Sequence, residues 1–184
     1  MQTATYWNAP ARFFHWLIAA LILAQIALGI AAVNWALSPT KLNLFFWHKS
    51  IGITVLLLVV VRLLWRFTNP VPDLPENMPG WERYAAHASH FLLYVAMVGL
   101  PVSGWVLSSA SGVPFRIFWT VPLPAIVVVD KETAEVAKQV HHAFVFLLIP
   151  LLIAHIGAAL RHHYVKHDDI LKRMLPFQKS DQIQ

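Results

Sequence analysis

A chain of 184 residues with 58% hydrophobic residues, only 12% charged residues and a formal net charge of +5 is not an ordinary soluble domain, because so small a body lacks the interior to hide that much apolar surface. The absence of cysteine excludes disulfides, thiolate metal sites, iron–sulfur clusters and a C-x-x-C-H attachment for covalent haem. The basic residues are spread between apolar stretches rather than gathered on one face, which favours phospholipid headgroups as partner over nucleic acid.

The opening segment, MQTATYWNAPARFFHW, has no cationic region leading into an apolar one and no small-residue cleavage site, so the first apolar stretch is expected to be retained. Asn8-Ala-Pro10 reads as a helix start, and the stretch 13–33 that follows approaches the roughly 20 apolar residues needed to cross a bilayer. A second span is predicted over 44–65, stopped by Asn69-Pro-Val-Pro72, and the run up to Gly80 is a loop by composition. The third span, 90–107, contains Pro101, and the fourth, 143–160, contains Pro150; both prolines are tolerable in a membrane bundle. Between these two lies the longest connection, 108–139, with Trp119, Pro122, Pro124 and a charged segment, 130–138, that reads as a short surface helix. The predicted architecture is all-α: a four-helix transmembrane bundle, one integral unit over 6–175 with a cytoplasmic tail at 176–184.

Lysine and arginine set the orientation. Arg12, Arg62, Arg66, Arg83, Arg161, Lys166, Lys172, Arg173 and Lys179 flank one side, against Lys41, Lys49, Arg116, Lys131 and Lys138 on the other. The excess places both termini in the cytoplasm and the long connection outside a bacterial inner membrane. Tyr6, Trp16, Trp47, Trp65, Trp81, Trp119 and Tyr164 lie near span ends, as interfacial belts require.

Ten histidines are the anomaly. His141 and His155 stand 14 residues apart, which returns to nearly the same helix face, about 40° short of whole turns, after about 21 Å of rise. His48, at the outer start of the second span, is level with His141; His15, at the inner start of the first, shares a leaflet with His155. Two depth-matched imidazole pairs with no thiolate or carboxylate in the spans suit two bis-histidine b-type haems, whose filled axial positions pass electrons rather than bind oxygen. His142 is the competitor to His141, but about 100° round the helix it breaks the 14-residue match. His162, two turns beyond His155, and His90, near the inner start of the third span, reach one depth and suit the carbonyls of a lipid-soluble quinone. The competing readings are a propionate-facing or interfacial ring for His90 and a solvated helix-end cation for His162. His87 and His167 read as solvated. Arg12, Arg62 and Arg161 are candidates for haem propionates or equally for topology charges. Gly52, Gly99, Gly104 and Gly157 admit close approach of a helix or a porphyrin.

The segments FHW (14–16), HKSIGI (48–53), HASHFLLY (87–94) and AHIGAALRHHY (154–164) resemble, in order and spacing, those of the bacterial cytochrome b561 family of di-haem membrane proteins. The resemblance implies the same ligand pairs: His15 with His155 on the cytoplasmic side, His48 with His141 on the periplasmic side. Members of that family include superoxide oxidases, which implies superoxide oxidation at the outer face coupled to ubiquinone reduction, with His90 and His162 at the quinone. Arg116 and its neighbouring cations would steer the anionic donor, although Asp130, Glu132 and Glu135 dilute the attraction. Two other readings stand beside this one. They are an electron-transfer subunit whose outer connection docks a periplasmic redox protein, and a histidine-lined metal-ion transporter.

Overall fold

Three long helices begin where a short polar side chain closes the first turn. Asn8 accepts from the Ala11 N–H, Ser38 from the Lys41 N–H and Asp130 from the Thr133 N–H; the first two helices also carry a proline just inside their start. The computed structural model describes residues 6–75 and 77–176. In chain order these form α1 (Ala9–Asn34), α2 (Pro39–Thr68), α3 (Gly80–Ala110), two short strands β1 (Phe115–Ile117) and β2 (Val121–Leu123), α4 (Lys131–Tyr164) and a 3-10 turn over Lys172–Met174. All four α-helices are long and apolar enough to cross a membrane, which is the all-α bundle expected. Except for Pro176, the predicted tail lies outside the described residues.

Each helix outruns its predicted span at both ends. Hydropathy registers only the part immersed in hydrocarbon, whereas backbone hydrogen bonding continues until a cap or a proline stops it. The largest difference is at 130–138. The expected surface helix is instead the N-cap and first turns of α4, since no glycine or proline separates Lys131 from His141. The 34 residues of α4 rise about 51 Å, against a hydrocarbon core of about 30 Å, so these charged turns reach past the apolar layer.

Helix α1 packs on α2, α2 on α3 and α3 on α4. Ile18 and Ile22, Val55 and Val59, Leu93, Ala96 and Met97, and Leu148 meet between them. Phe146 and Ile153 of α4 are 77% and 67% exposed, an outward apolar face that lipid solvates. The start of α1 and the end of α4 share one end of the bundle. There Trp16 Nε1 donates to the Met174 carbonyl at 2.8 Å and Arg12 Nη1 to that of Leu175 at 3.1 Å, while Trp65 Nε1 at the end of α2 donates to Asn8 Oδ1 at 3.1 Å. This is the terminal end; β1 and β2 mark the hairpin end.

The strands pair antiparallel, with Ile117 opposite Val121. Their turn holds Phe118 at φ 45° and Trp119 at φ 62°, left-handed backbone at two bulky residues. Helix α2 secures it: the Phe118 N–H donates to Ser50 Oγ at 3.1 Å, and the Trp119 ring stacks on Phe46 with centroids 3.7 Å apart.

Candidate cofactor sites

At the hairpin end His48 of α2 faces His141 of α4, with ring centroids 6.3 Å apart. At the terminal end His15 of α1 faces His155 of α4 at 6.2 Å. Two imidazoles bound on opposite sides of one metal, each nitrogen about 2.0 Å from it and each ring centre about 1.1 Å further back, have centres about 6.2 Å apart. Both pairs fit that requirement. His142 is exposed, about 100° round α4 from His141, and the ring that meets His48 is His141.

The second shell differs between the rings. His141 Nδ1 lies 3.0 Å from the Leu100 carbonyl and 3.1 Å from Ser103 Oγ, and Ser103 Oγ itself donates to Leu100 at 2.9 Å. A carbonyl only accepts, so the ring proton belongs on Nδ1 and Nε2 presents its lone pair. His15 and His48 each bury an Nδ1 with no hydrogen-bond partner in the protein, a costly state for an imidazole that nothing else engages. Gln25 Nε2 donates to the His48 carbonyl at 2.7 Å, and Gly29 admits the His48 ring where a side chain would crowd it. Among the described residues no group of three or more histidines, cysteines or carboxylates is placed to hold a bare metal ion. Two facing nitrogens suit a cofactor that brings its own equatorial ligands.

A third imidazole belongs to the terminal-end set. His90 of α3 packs 5.3 Å from His155, closer than trans ligation of one iron allows. Arg62 lies within electrostatic reach of His15, His90 and His155 and covers the Tyr94 ring at 5.9 Å. The other two propionate candidates have different partners: Arg12 holds the Leu175 carbonyl, and Arg161, half exposed, pairs with Glu82 at 3.1 Å. His162 is buried beside Glu82 and Asp168, not among the three rings. His87 and His167 are exposed.

Of the five cations expected to steer a donor, Lys49 is turned inward, donating to Ser108 Oγ at 2.9 Å and lying 5.6 Å from the Phe115 ring centre. Lys138 is paired with Glu135 at 3.4 Å and Lys41 donates to the Trp35 carbonyl at 2.9 Å. Arg116 stands exposed on β1. Ser103, Gly29, Glu82 and Asp168 escaped the sequence reading; each gains its meaning from a partner on another element or across a turn, which periodicity does not carry.

The sequence profile of the prokaryotic cytochrome b561 family matches residues 6–177. The chain belongs to that family. It is 34% identical over 190 aligned residues to cytochrome b561 homolog 2 of Escherichia coli (strain K12), covering 96% of this chain and 98% of the relative. Cytochrome b561 homolog 1 of the same organism is 30% identical over 172 residues, covering 91% and 95%. A probable superoxide oxidase, CybB, of Yersinia pestis is 26% identical over 162 residues, covering 88% and 91%. This cytochrome b561 is therefore a bacterial membrane electron-transfer protein, and haem b is the cofactor its family implies.

Proposed function

We propose that this cytochrome carries two haem b groups and moves electrons from a one-electron donor at the hairpin end to a membrane quinone at the terminal end, with superoxide as donor and ubiquinone as acceptor. Residues 6–175 act as one integral unit, with the termini and the tail 176–184 in the cytoplasm and the hairpin in the periplasm. The observation that carries this is the pair of facing imidazoles at trans-ligand separation, repeated 14 residues along α4.

His48 and His141 hold one haem, and His15 and His155 the other. A haem held by each pair would supply one-electron transfer across the bilayer. The Leu100 carbonyl keeps the His141 ring oriented, and Arg62 balances anionic charge, propionate included, at the terminal-end set. Arg116 attracts an anionic donor to the hairpin end.

Helical rise supports the quinone assignment. His162 meets Glu82 across α4 and α3, and His155 meets His90 across the same helices. The two levels are therefore about 10–12 Å apart along the bundle. A quinone ring hydrogen-bonded at both opposed carbonyls needs roughly 11 Å between donor nitrogens. Overall, two superoxide anions each lose one electron to give two dioxygen molecules, and the quinone takes two electrons and two protons to give the quinol.

Haem quantitation with an optical redox titration of the purified protein tests the reading. Two low-spin haems per chain are expected; His48→Ala or His141→Ala removes one and His15→Ala or His155→Ala the other. A colourless protein from haem-replete cells, or loss of the hairpin-end haem on His142→Ala with His141→Ala intact, overturns it. A second donor class has its own support in the apolar hairpin tip, where Trp119 and Val121 are 51% and 57% exposed, a surface on which a periplasmic redox protein would dock. Superoxide-driven quinone reduction by the isolated cytochrome decides against a required partner.

A further inference from the structure

The terminal end of α4 carries a polar arrangement that passing electrons does not require. His162 is 8% exposed, and its Nδ1 lies 2.5 Å from Asp168 Oδ2. Left-handed backbone at His167, φ 55°, turns the chain back so that the Asp168 N–H donates to the His162 carbonyl at 3.1 Å. The Ile170 N–H donates to Asp168 Oδ1 at 3.2 Å. The carboxylate is thus fixed from both sides, with its second oxygen aimed at the ring. On the ring's other side Nε2 is 3.7 Å from Glu82 Oε2, too far for a hydrogen bond. Glu82 is occupied by two cations, Arg161 at 3.1 Å and Lys166. Of the two carboxylates facing His162, one is neutralised by these neighbours and the other is committed to Nδ1. Nε2 is the nitrogen left available.

We propose that Asp168 is the positioning residue of a proton-delivering dyad: it accepts the Nδ1–H of His162, fixes the ring and aims Nε2 at the quinone oxygen that is to be protonated. This rests on the quinone reading above. Delivery breaks the Nε2–H bond and forms an O–H bond on the acceptor, while the electrons come separately through the iron centres. The ring ends neutral, with Nδ1–H still on Asp168. While the ring carries the additional proton, the adjacent carboxylate balances its charge, the role a buried aspartate plays behind a catalytic histidine. One delivery protonates the oxygen that faces Nε2; the second proton of each quinol goes to the opposed oxygen, on the His90 side. The Asp168 side chain is 22% exposed, so the dyad sits where protons from the aqueous phase beyond the terminal end replace those delivered. Arg161 and Lys166 on and just after α4, and Glu82 on α3, are the charged groups beside it, and their mutual pairing leaves Asp168 as the counter-charge of the imidazole.

The alternative is that the contact only braces the segment after α4, and the choice of oxidant separates the two. Haem-loaded protein is reduced anaerobically and mixed with a short-tailed benzoquinone, which needs protons, or with ferricyanide, which does not. Reoxidation is followed optically in light and heavy water. Asp168→Asn should keep its haem and its ferricyanide rate, while reoxidation by quinone slows about tenfold or more and shows a larger solvent isotope effect; Asp168→Glu should recover part of the rate. An unchanged quinone rate in Asp168→Asn, or equal slowing with both oxidants, overturns the proposal. If Asp168→Asn does not assemble, the wild-type protein decides: a solvent isotope effect confined to the quinone reaction supports the dyad, and its absence overturns it. Wild-type protein that ferricyanide oxidises and no quinone does removes the quinone reading itself, a failure seen before any variant is compared.

Discussion

Gly29 lets α1 approach the His48 ring. A methyl group placed on it would stand 3.2 Å from His48 Cε1, the same addition at Gly104 would stand 3.5 Å from the His141 ring, and at Gly157 it would meet nothing within 4 Å. Gly29→Ala therefore requires the His48 ring to yield by a few tenths of an ångström. Its carbonyl is held by Gln25, so the ring yields by rotating, at about 0.5–1.5 kcal/mol for an off-rotamer angle. If His48 and His141 hold a haem as proposed, that converts to about a two- to tenfold loss of affinity for it. Replacing a helical glycine by alanine also stabilises the helix by roughly 0.5–1 kcal/mol, which offsets the cost of the rotated ring in the fold, so haem affinity rather than fold stability is the readout. With both proposed sites loaded, transfer of haem to excess apomyoglobin should show two phases, and His48→Ala identifies which is which. Gly29→Ala should accelerate only the hairpin-end phase, with Gly104→Ala near wild type and Gly157→Ala indistinguishable from it. Equal transfer in Gly29→Ala and Gly157→Ala, or acceleration of the phase that His15→Ala abolishes, would refute the reasoning.

Gly99→Ala should lower the thermal midpoint, because its methyl would fall 2.4–2.8 Å from three Phe144 ring atoms, an overpacking worth about 1–3 kcal/mol; Phe144→Leu in the same background should restore it. Trp119→Ala and Trp119→Gly both lose the stack on Phe46, but only glycine relieves the left-handed backbone. The alanine variant should be less stable by about 1–2 kcal/mol in denaturant titration, and equal stabilities would contradict the turn. Arg62→Met should lower the potential of the component lost in His15→Ala by some tens of millivolts in a redox titration and leave the other unchanged.

Much of the bundle was legible because a membrane reduces the problem to apolar length, and the histidines were legible because helical rise alone placed His141 and His155 at two depths. What escaped was coded by contacts rather than by period. The hairpin uses Phe118 and Trp119 where turns of this kind usually call for asparagine and glycine, and it stands because Ser50 and Phe46 of α2 supply the compensation. The first turns of α4 read as a separate surface helix because charge interrupts hydropathy without interrupting a helix. His90 and His162 were read as neighbours at one depth. The structure instead gives His90 to the His155 ring and His162 to Glu82 and Asp168, a separation that a sequence pattern could not resolve because it depends on how α3 and α4 are registered against each other.

The two imidazole pairs, alike in spacing, sit in unlike fields. At the hairpin end the Leu100 carbonyl pulls on the Nδ1 proton of His141, which makes the opposite nitrogen a stronger donor and favours the oxidised state of a metal bound there. Cations reach both ends: Lys49 acts on His48 as the smallest of that ring's influences, whereas Arg62 acts on both His15 and His155, so the larger share of charge favouring a reduced state falls at the terminal end. The carbonyl and the larger share of cationic charge would together draw an electron arriving at the hairpin end toward the terminal end. The proposed direction of transfer would then follow from one backbone carbonyl on α3 and one arginine on α2.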